Sequence, residues 1–308
     1  MNLINAFNSI LTLFIIGIVG YFCRKSDILN ERTIDNLPKF LLQVTLPCMI
    51  ISSMQLEYSP EKINDIKTLL TISISAYVFS FILSLIISKI IKAKDRRDKG
   101  VYQFMVIFSN VAFIGYPVLM SIYSKEAIFY AAIYNLPFNF LVFTLGIFIM
   151  QENEKKIKIN YFINPGLISV IIGITFYVLS IKIPELILQP LTIIGDLTTP
   201  LSMIFIGASL THIDIKSILL EWRLYIISIV RLIIIPLLLL LVLINIIDNP
   251  LIIGIPVIIS GMPVAANCAI ISKQYGGNSD LASEGIFLTT LLSIITIPFI
   301  VFILSNIK

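Results

Sequence analysis

Three ionisable side chains stand inside long apolar runs, where a charge is costly unless a partner or a function offsets it. Asp196 lies in Gly195-Asp196-Leu197-Thr198-Thr199-Pro200, Arg231 in Ile229-Val230-Arg231-Leu232, and Glu284 shortly after Asp280. A carboxylate flanked by glycine, threonine and proline can take up a proton or a small cation, or gate a path. Asp196 is thus the first candidate for coupling to H+ or Na+, and Glu284 the second. A guanidinium can grip a carboxylate through two parallel N–H donors. Arg231 is therefore a candidate ligand for an organic anion, or else the permanent partner of Asp196 or Glu284. Neutral amides supply further donors at Asn110, Asn267 and Gln43. Asn135 and Asn139 flank Pro137 and share one helical face, which suits lining a cavity or bonding a neighbouring helix.

Other chemistries find no support. His212 is the only histidine, so no His-based metal site is expected. Cys23, Cys48 and Cys268 are odd in number and sit in apolar stretches, which argues against a disulfide framework. No Walker A sequence occurs, and Gly207-Ala208-Ser209 has only His212 as a histidine for a serine protease, too close in the chain to serve. The expectation is no catalytic residue, no resident cofactor and no enzyme.

The elements that must carry these residues are membrane helices. The chain has 308 residues, 57% of them hydrophobic and only 13% charged, with a mean hydropathy of +0.98. One soluble core of this length could not bury so much apolar surface. A spanning helix needs about 20 apolar residues, and ten such stretches are expected: 5–23, 34–54, 68–91, 100–123, 127–150, 164–183, 187–211, 217–246, 250–273 and 281–306. The first lacks a basic leading segment and a small-residue cleavage site, so it reads as a span rather than a signal peptide.

Lysine and arginine set the orientation. The loops after the odd-numbered spans carry fifteen: Arg24, Lys25, Arg32, Lys89, Lys92, Lys94, Arg96, Arg97, Lys99, Lys155, Lys156, Lys158, Lys216, Arg223 and Lys273. The other side carries five: Lys62, Lys67, Lys125, Lys182 and Lys308. The reading is a multi-pass protein of the cytoplasmic membrane with both termini outside. The net charge of +4 follows from these loops and implies no nucleic-acid partner; the bilayer is the partner.

An offset of 153 residues lays Gln43, Thr45 and Pro47 of span 2 on Asp196, Thr198 and Pro200 of span 7. Five spans per half is odd, so the halves must have opposite polarity, an inverted repeat. The expected division is 1–151, a cytoplasmic linker 152–163, and 164–308. Polar and helix-breaking residues gather in spans 2, 4, 7 and 9. Pro47 and Pro200 interrupt spans 2 and 7. Span 4 carries Asn110, Gly115 and Pro117, and span 9 carries Gly261, Pro263 and Asn267. In lipid, backbone groups freed at such breaks must be satisfied by protein or by water in a cavity. Half-helix N-termini and amides around a cavity suit an anion.

The stretch Phe108 to Pro117, with its Asn…Gly…Pro spacing, resembles span 4 of the auxin efflux carrier family. Pro200 to Leu210, and Gly261-Met262-Pro263 followed by Asn267, resemble its spans 7 and 9. The resemblance covers essentially the whole chain. The short segment between spans 5 and 6 points to the prokaryotic, malate-permease-like type. It implies an all-α fold of ten spans in a five-plus-five inverted repeat, spans 4 and 9 crossing at their broken centres, with a homodimer as family precedent. The function it implies is transport of small carboxylates, such as malate or auxin-like acids, by alternating access, spans 1, 2, 6 and 7 moving as a bundle. A sodium/proton-type cation antiporter of the same architecture and a non-transporting membrane sensor are the alternatives.

Overall fold

The computed structural model describes residues 3–93, 95–123, 125–151, 165–212, 218 and 220–306. The expected linker 152–163, and Lys94, Lys155, Lys156, Lys158, Lys216 and Lys308 of the charge count, lie outside them. Among the described residues the elements are helical, apart from one antiparallel bridge between Ser109 and Val264. Among the described residues six helices are long and apolar enough to cross a membrane: Phe7–Lys25, Glu31–Ser53, Pro60–Ile90, Glu185–Ser209, Trp222–Leu243 and Ser279–Ser305. Three shorter apolar helices are Val111–Ile122, Pro165–Val178 and Pro250–Ser260. The stretch expected as span 5 is three short helices, Lys125–Tyr134, Leu136–Leu141 and Leu145–Met150. The architecture is that of a polytopic helical membrane protein.

Most of the prolines expected to open helices do not do so; several widen the turn ahead of them. Leu41–Thr45, Val111–Gly115 and Val230–Ile234 are π-helical, and each ends two residues before a proline, at Pro47, Pro117 and Pro236. A proline has no N–H for the carbonyl four residues back, and its ring crowds that carbonyl. Bonds spanning five residues, from Leu46 N–H to Leu41 O and from Ile235 N–H to Val230 O, relieve both defects by taking one extra residue into the turn. Pro200 lies in the first turn of Thr198–Ser209, where its missing N–H would have had no helical acceptor. Pro47 therefore adjusts its helix, while Pro200 sits just past the turn at Leu197 that separates Glu185–Asp196 from Thr198–Ser209.

The chain forms two compact units, each drawing on both halves of the sequence. The first comprises 1–69, 112–134 and 163–212. Its helix Leu3–Lys25 packs along Thr198–Ser209 through small residues. A methyl on Gly207 would overlap the Gly17 carbonyl, and one on Gly20 the Ile204 carbonyl. Without a hydrophobic drive inside lipid, such close backbone approach is what holds helices together. Helices Pro165–Val178 and Glu185–Asp196 pack on Leu46–Ser53, with Gly195 against the Met49 backbone and Gly173 against the Met54 side chain.

The second unit comprises 70–111, 135–162 and 213–308. Its starts are capped: Asp95 accepts from Asp98 N–H at 2.8 Å, and Asn278 from Leu281 N–H at 3.1 Å. Helix Arg96–Ile107 lies against Leu145–Met150, and Ser279–Ser305 against Trp222–Ile229 and Asn267–Tyr275. Phe108 is wholly buried between Phe104, Phe138 and Tyr77, with ring centroids 4.6, 5.8 and 6.1 Å away. This aromatic packing fixes the point where the helix ends.

Candidate functional site

Within the second unit, two chain segments leave helix beside one another. Arg96–Ile107 stops at Phe108, whose φ and ψ of −109° and 117° are extended. Pro250–Ser260 stops at Gly261, and helix resumes only at Asn267. The gaps satisfy each other. Asn110 N–H donates to Pro263 O at 2.8 Å, and Ala265 N–H donates to Phe108 O at 3.0 Å. Val264 N–H donates to Thr289 Oγ1 at 3.2 Å, from the helix Ser279–Ser305. Phe108, Ser109, Asn110 and residues 261–265 are all buried. Buried peptide groups require partners, and here each interruption supplies the other's. A methyl on Gly261 would press on Ile300 Cδ1, the end of a side chain from the helix Ser279–Ser305.

Arg231 belongs to this arrangement, in a role the sequence did not reveal. Its side chain is 2% exposed. Nε donates to Met262 O at 3.2 Å, and Nη1 to Val106 O and Ile107 O at 2.9 and 3.4 Å. These donors face backbone carbonyls of both interrupted segments.

The other expected site residues are distributed as follows. Asn267 is half-buried and begins Asn267–Tyr275, two residues past Ala265. Asn135 is buried with no partner for Oδ1, while its backbone carbonyl accepts from Asn139 Nδ2 at 3.2 Å. The two amides thus stand together at the break around Pro137. Glu284 lines a cavity of about 360 Å³ with Asp98, Glu221, Asn278 and Asp280. Asp98 accepts there from Asn278 Nδ2 at 2.8 Å.

In the first unit, Gly115 and Pro117 are buried in the helical stretch that follows Val111. Gln43 is exposed on the π-turn before Pro47. Asp196 Oδ1 lies 3.2 Å from Lys125 Nζ, with both side chains 49% exposed. Its ion pair is with Lys125, which sequence reading had assigned to a loop. Nothing in the spacing of the two residues signalled that contact. Thr198, two residues on, is 1% exposed and has no partner for Oγ1.

The sequence reading also missed Thr289 and the carbonyls of Val106 and Ile107. A threonine on an apolar helix bonds its own preceding turn by default, as Thr289 also does to Gly285 O at 2.7 Å. Its second role is visible only in three dimensions.

Comparisons with known proteins place the chain in a family. The model of the family described as "Membrane transport protein" matches residues 5–301. An uncharacterized transporter of Methanocaldococcus jannaschii is 28% identical over 307 residues, which cover 96% of this chain and 98% of that protein. An uncharacterized transporter of Methanothermobacter thermautotrophicus is 24% identical over 300 residues, covering 94% and 95%. The chain belongs to this membrane transport family, the auxin efflux carrier family, and is a transport protein rather than an enzyme.

Proposed function

We propose that the protein carries small organic anions, carboxylates such as malate or auxin-like acids, across the cytoplasmic membrane by alternating access. The observation that carries this reading is the reciprocal bonding of Phe108–Asn110 with Pro263–Ala265. Non-helical backbone at membrane depth is tolerated where protein buries it or where it lines a cavity. Paired interruptions in corresponding parts of two halves are the mark of a transport site in inverted-repeat carriers. On this reading the fold has ten spans, five per half, with spans 4 and 9 meeting at their breaks and both termini outside. Helix begins again at Val111 and at Asn267, and helix N-termini present N–H donors and positive dipole ends, which favour an anion over a cation. Asn110 and Asn267 add amide donors. The first unit holds spans 1, 2, 6 and 7 together, which supports reading them as the moving bundle.

The membrane potential supplies about 2.3 kcal/mol per charge per 100 mV. A dianion leaving a negative-inside cell gains about twice that, so export needs no coupling ion whereas uptake does. The test is counterflow in proteoliposomes with labelled mono- and dicarboxylates, including malate and an indole acid. Flux that disappears in both Asn110→Ala and Asn267→Ala supports the anion site. Flux retained in both refutes it, and sodium-dependent proton movement without any carboxylate would favour a cation antiporter.

A further inference from the structure

Two of the carbonyls that meet Arg231 are orphaned by the pairing itself. In an unbroken helix Val106 O would accept from Asn110 N–H, and Ile107 O from Val111 N–H. Asn110 N–H is diverted to Pro263 O, and Val111 N–H to Ser109 O at 3.0 Å. Met262 O lies just beyond the end of Pro250–Ser260. Two helix C-termini therefore converge on one point. Each such end behaves as about half a negative charge. Together they would present about one negative charge, which is hostile to an anion.

A single guanidinium meets three of these carbonyls at 2.9–3.4 Å. Its planar fork of donors can serve two helix ends at once, which an ammonium cannot match in geometry. Its own position is set by the π-turn Val230–Ile234 ahead of Pro236. The position aligned with it by the 153-residue offset, Val78, is 55% exposed, whereas Arg231 is 2% exposed. The cation is thus confined to one half of the chain.

Resting on the organic-anion reading above, we propose that Arg231 is the positioning residue of the site: it closes the carbonyl ends of both interrupted segments, and its charge cancels theirs, so that a ligand is ranked by its negative charge. Three variants separate geometry from charge. Arg231→Gln keeps donors and loses the charge. Arg231→Lys keeps the charge and loses the fork. Arg231→Ala loses both.

In the counterflow assay, Arg231→Gln raises KM for malate about tenfold more than for a monocarboxylate, the effect of one unit charge acting at a distance in a medium of intermediate dielectric. Arg231→Lys leaves that ratio near wild type and lowers the maximal rate. An unchanged ratio in Arg231→Gln overturns the charge role. A second measurement does not depend on flux. Millimolar guanidinium raises the melting temperature of detergent-solubilised Arg231→Ala, urea at the same concentration does not, and neither raises that of the wild type. Guanidinium acting no better than urea overturns the tether. If wild-type protein moves no carboxylate, the transport reading fails, while the melting comparison still decides whether Arg231 fills this place.

Discussion

Thr289→Val isolates one hydrogen bond in the paired interruption without changing shape. Val264 N–H points at Thr289 Oγ1 at 3.2 Å, and the two residues are 0% and 1% exposed. Valine fills the same volume but accepts nothing. A buried donor left without an acceptor costs about 1–3 kcal/mol. Hydrogen bonds between membrane helices often measure lower, about 0.6 kcal/mol, because alternative partners are found. Relaxation is restricted here, since the Phe108–Ala265 and Asn110–Pro263 bonds pin the backbone on both sides of Val264. We therefore expect a loss of about 1–2 kcal/mol. The bond that Thr289 Oγ1 donates to Gly285 O adds little, because that carbonyl keeps its helical N–H. Equilibrium unfolding of the detergent-solubilised protein in graded SDS gives the stability difference. Amide exchange at Val264 should quicken about five- to thirtyfold, as 1.4 kcal/mol corresponds to a factor of ten. Thr289→Ser keeps the oxygen and should recover most of the loss. Thr289→Val as stable as wild type, with unchanged exchange at Val264, would refute the reasoning.

Three further outcomes follow from other contacts. Gly207→Ala places a methyl against the Gly17 carbonyl and should destabilise by about 1–3 kcal/mol, whereas Gly17→Ala meets only Met203 O at 3.6 Å and should be neutral or better, as the two melting midpoints will show. Asn278→Ala removes the cap on Leu281 N–H and the amide donor to Asp98, so it should cost about 1–2 kcal/mol in the same SDS titration, an effect that Asn278→Ser reduces. Asp196→Asn breaks the ion pair with Lys125 and should abolish any pH dependence of counterflow; the same dependence in the variant removes Asp196 from coupling.

How much of this was legible in the sequence differs from element to element. Long apolar runs with few charges announce membrane helices, because nothing else accommodates them. The interruption near Pro263 was legible too, since glycine, proline and an amide cluster there against a plain Ile/Leu background, whereas the one at Phe108–Asn110 comes before Gly115 and Pro117, which are helical. What satisfies the interrupted backbone was not legible. A diverted N–H leaves no mark on residue type, so neither the bond from Asn110 to Pro263 nor the three carbonyls at Arg231 could be read in advance. The π-turns were missed for a related reason: proline states that one bond is absent, but only packing decides between a break and a wider turn. The Lys125–Asp196 contact joins residues far apart in the chain whose local surroundings give no sign of each other.

The exchange of backbone bonds between the two interruptions has an evolutionary consequence. A change that let residues 108–111 wind back into continuous helix would withdraw the donor from Pro263 and the acceptor from Ala265, stranding peptide groups in a distant part of the gene. Neither interruption can be repaired alone, so drift at one is policed by the other. A substitution that restores helix at one is therefore felt as stranded peptide groups at the other.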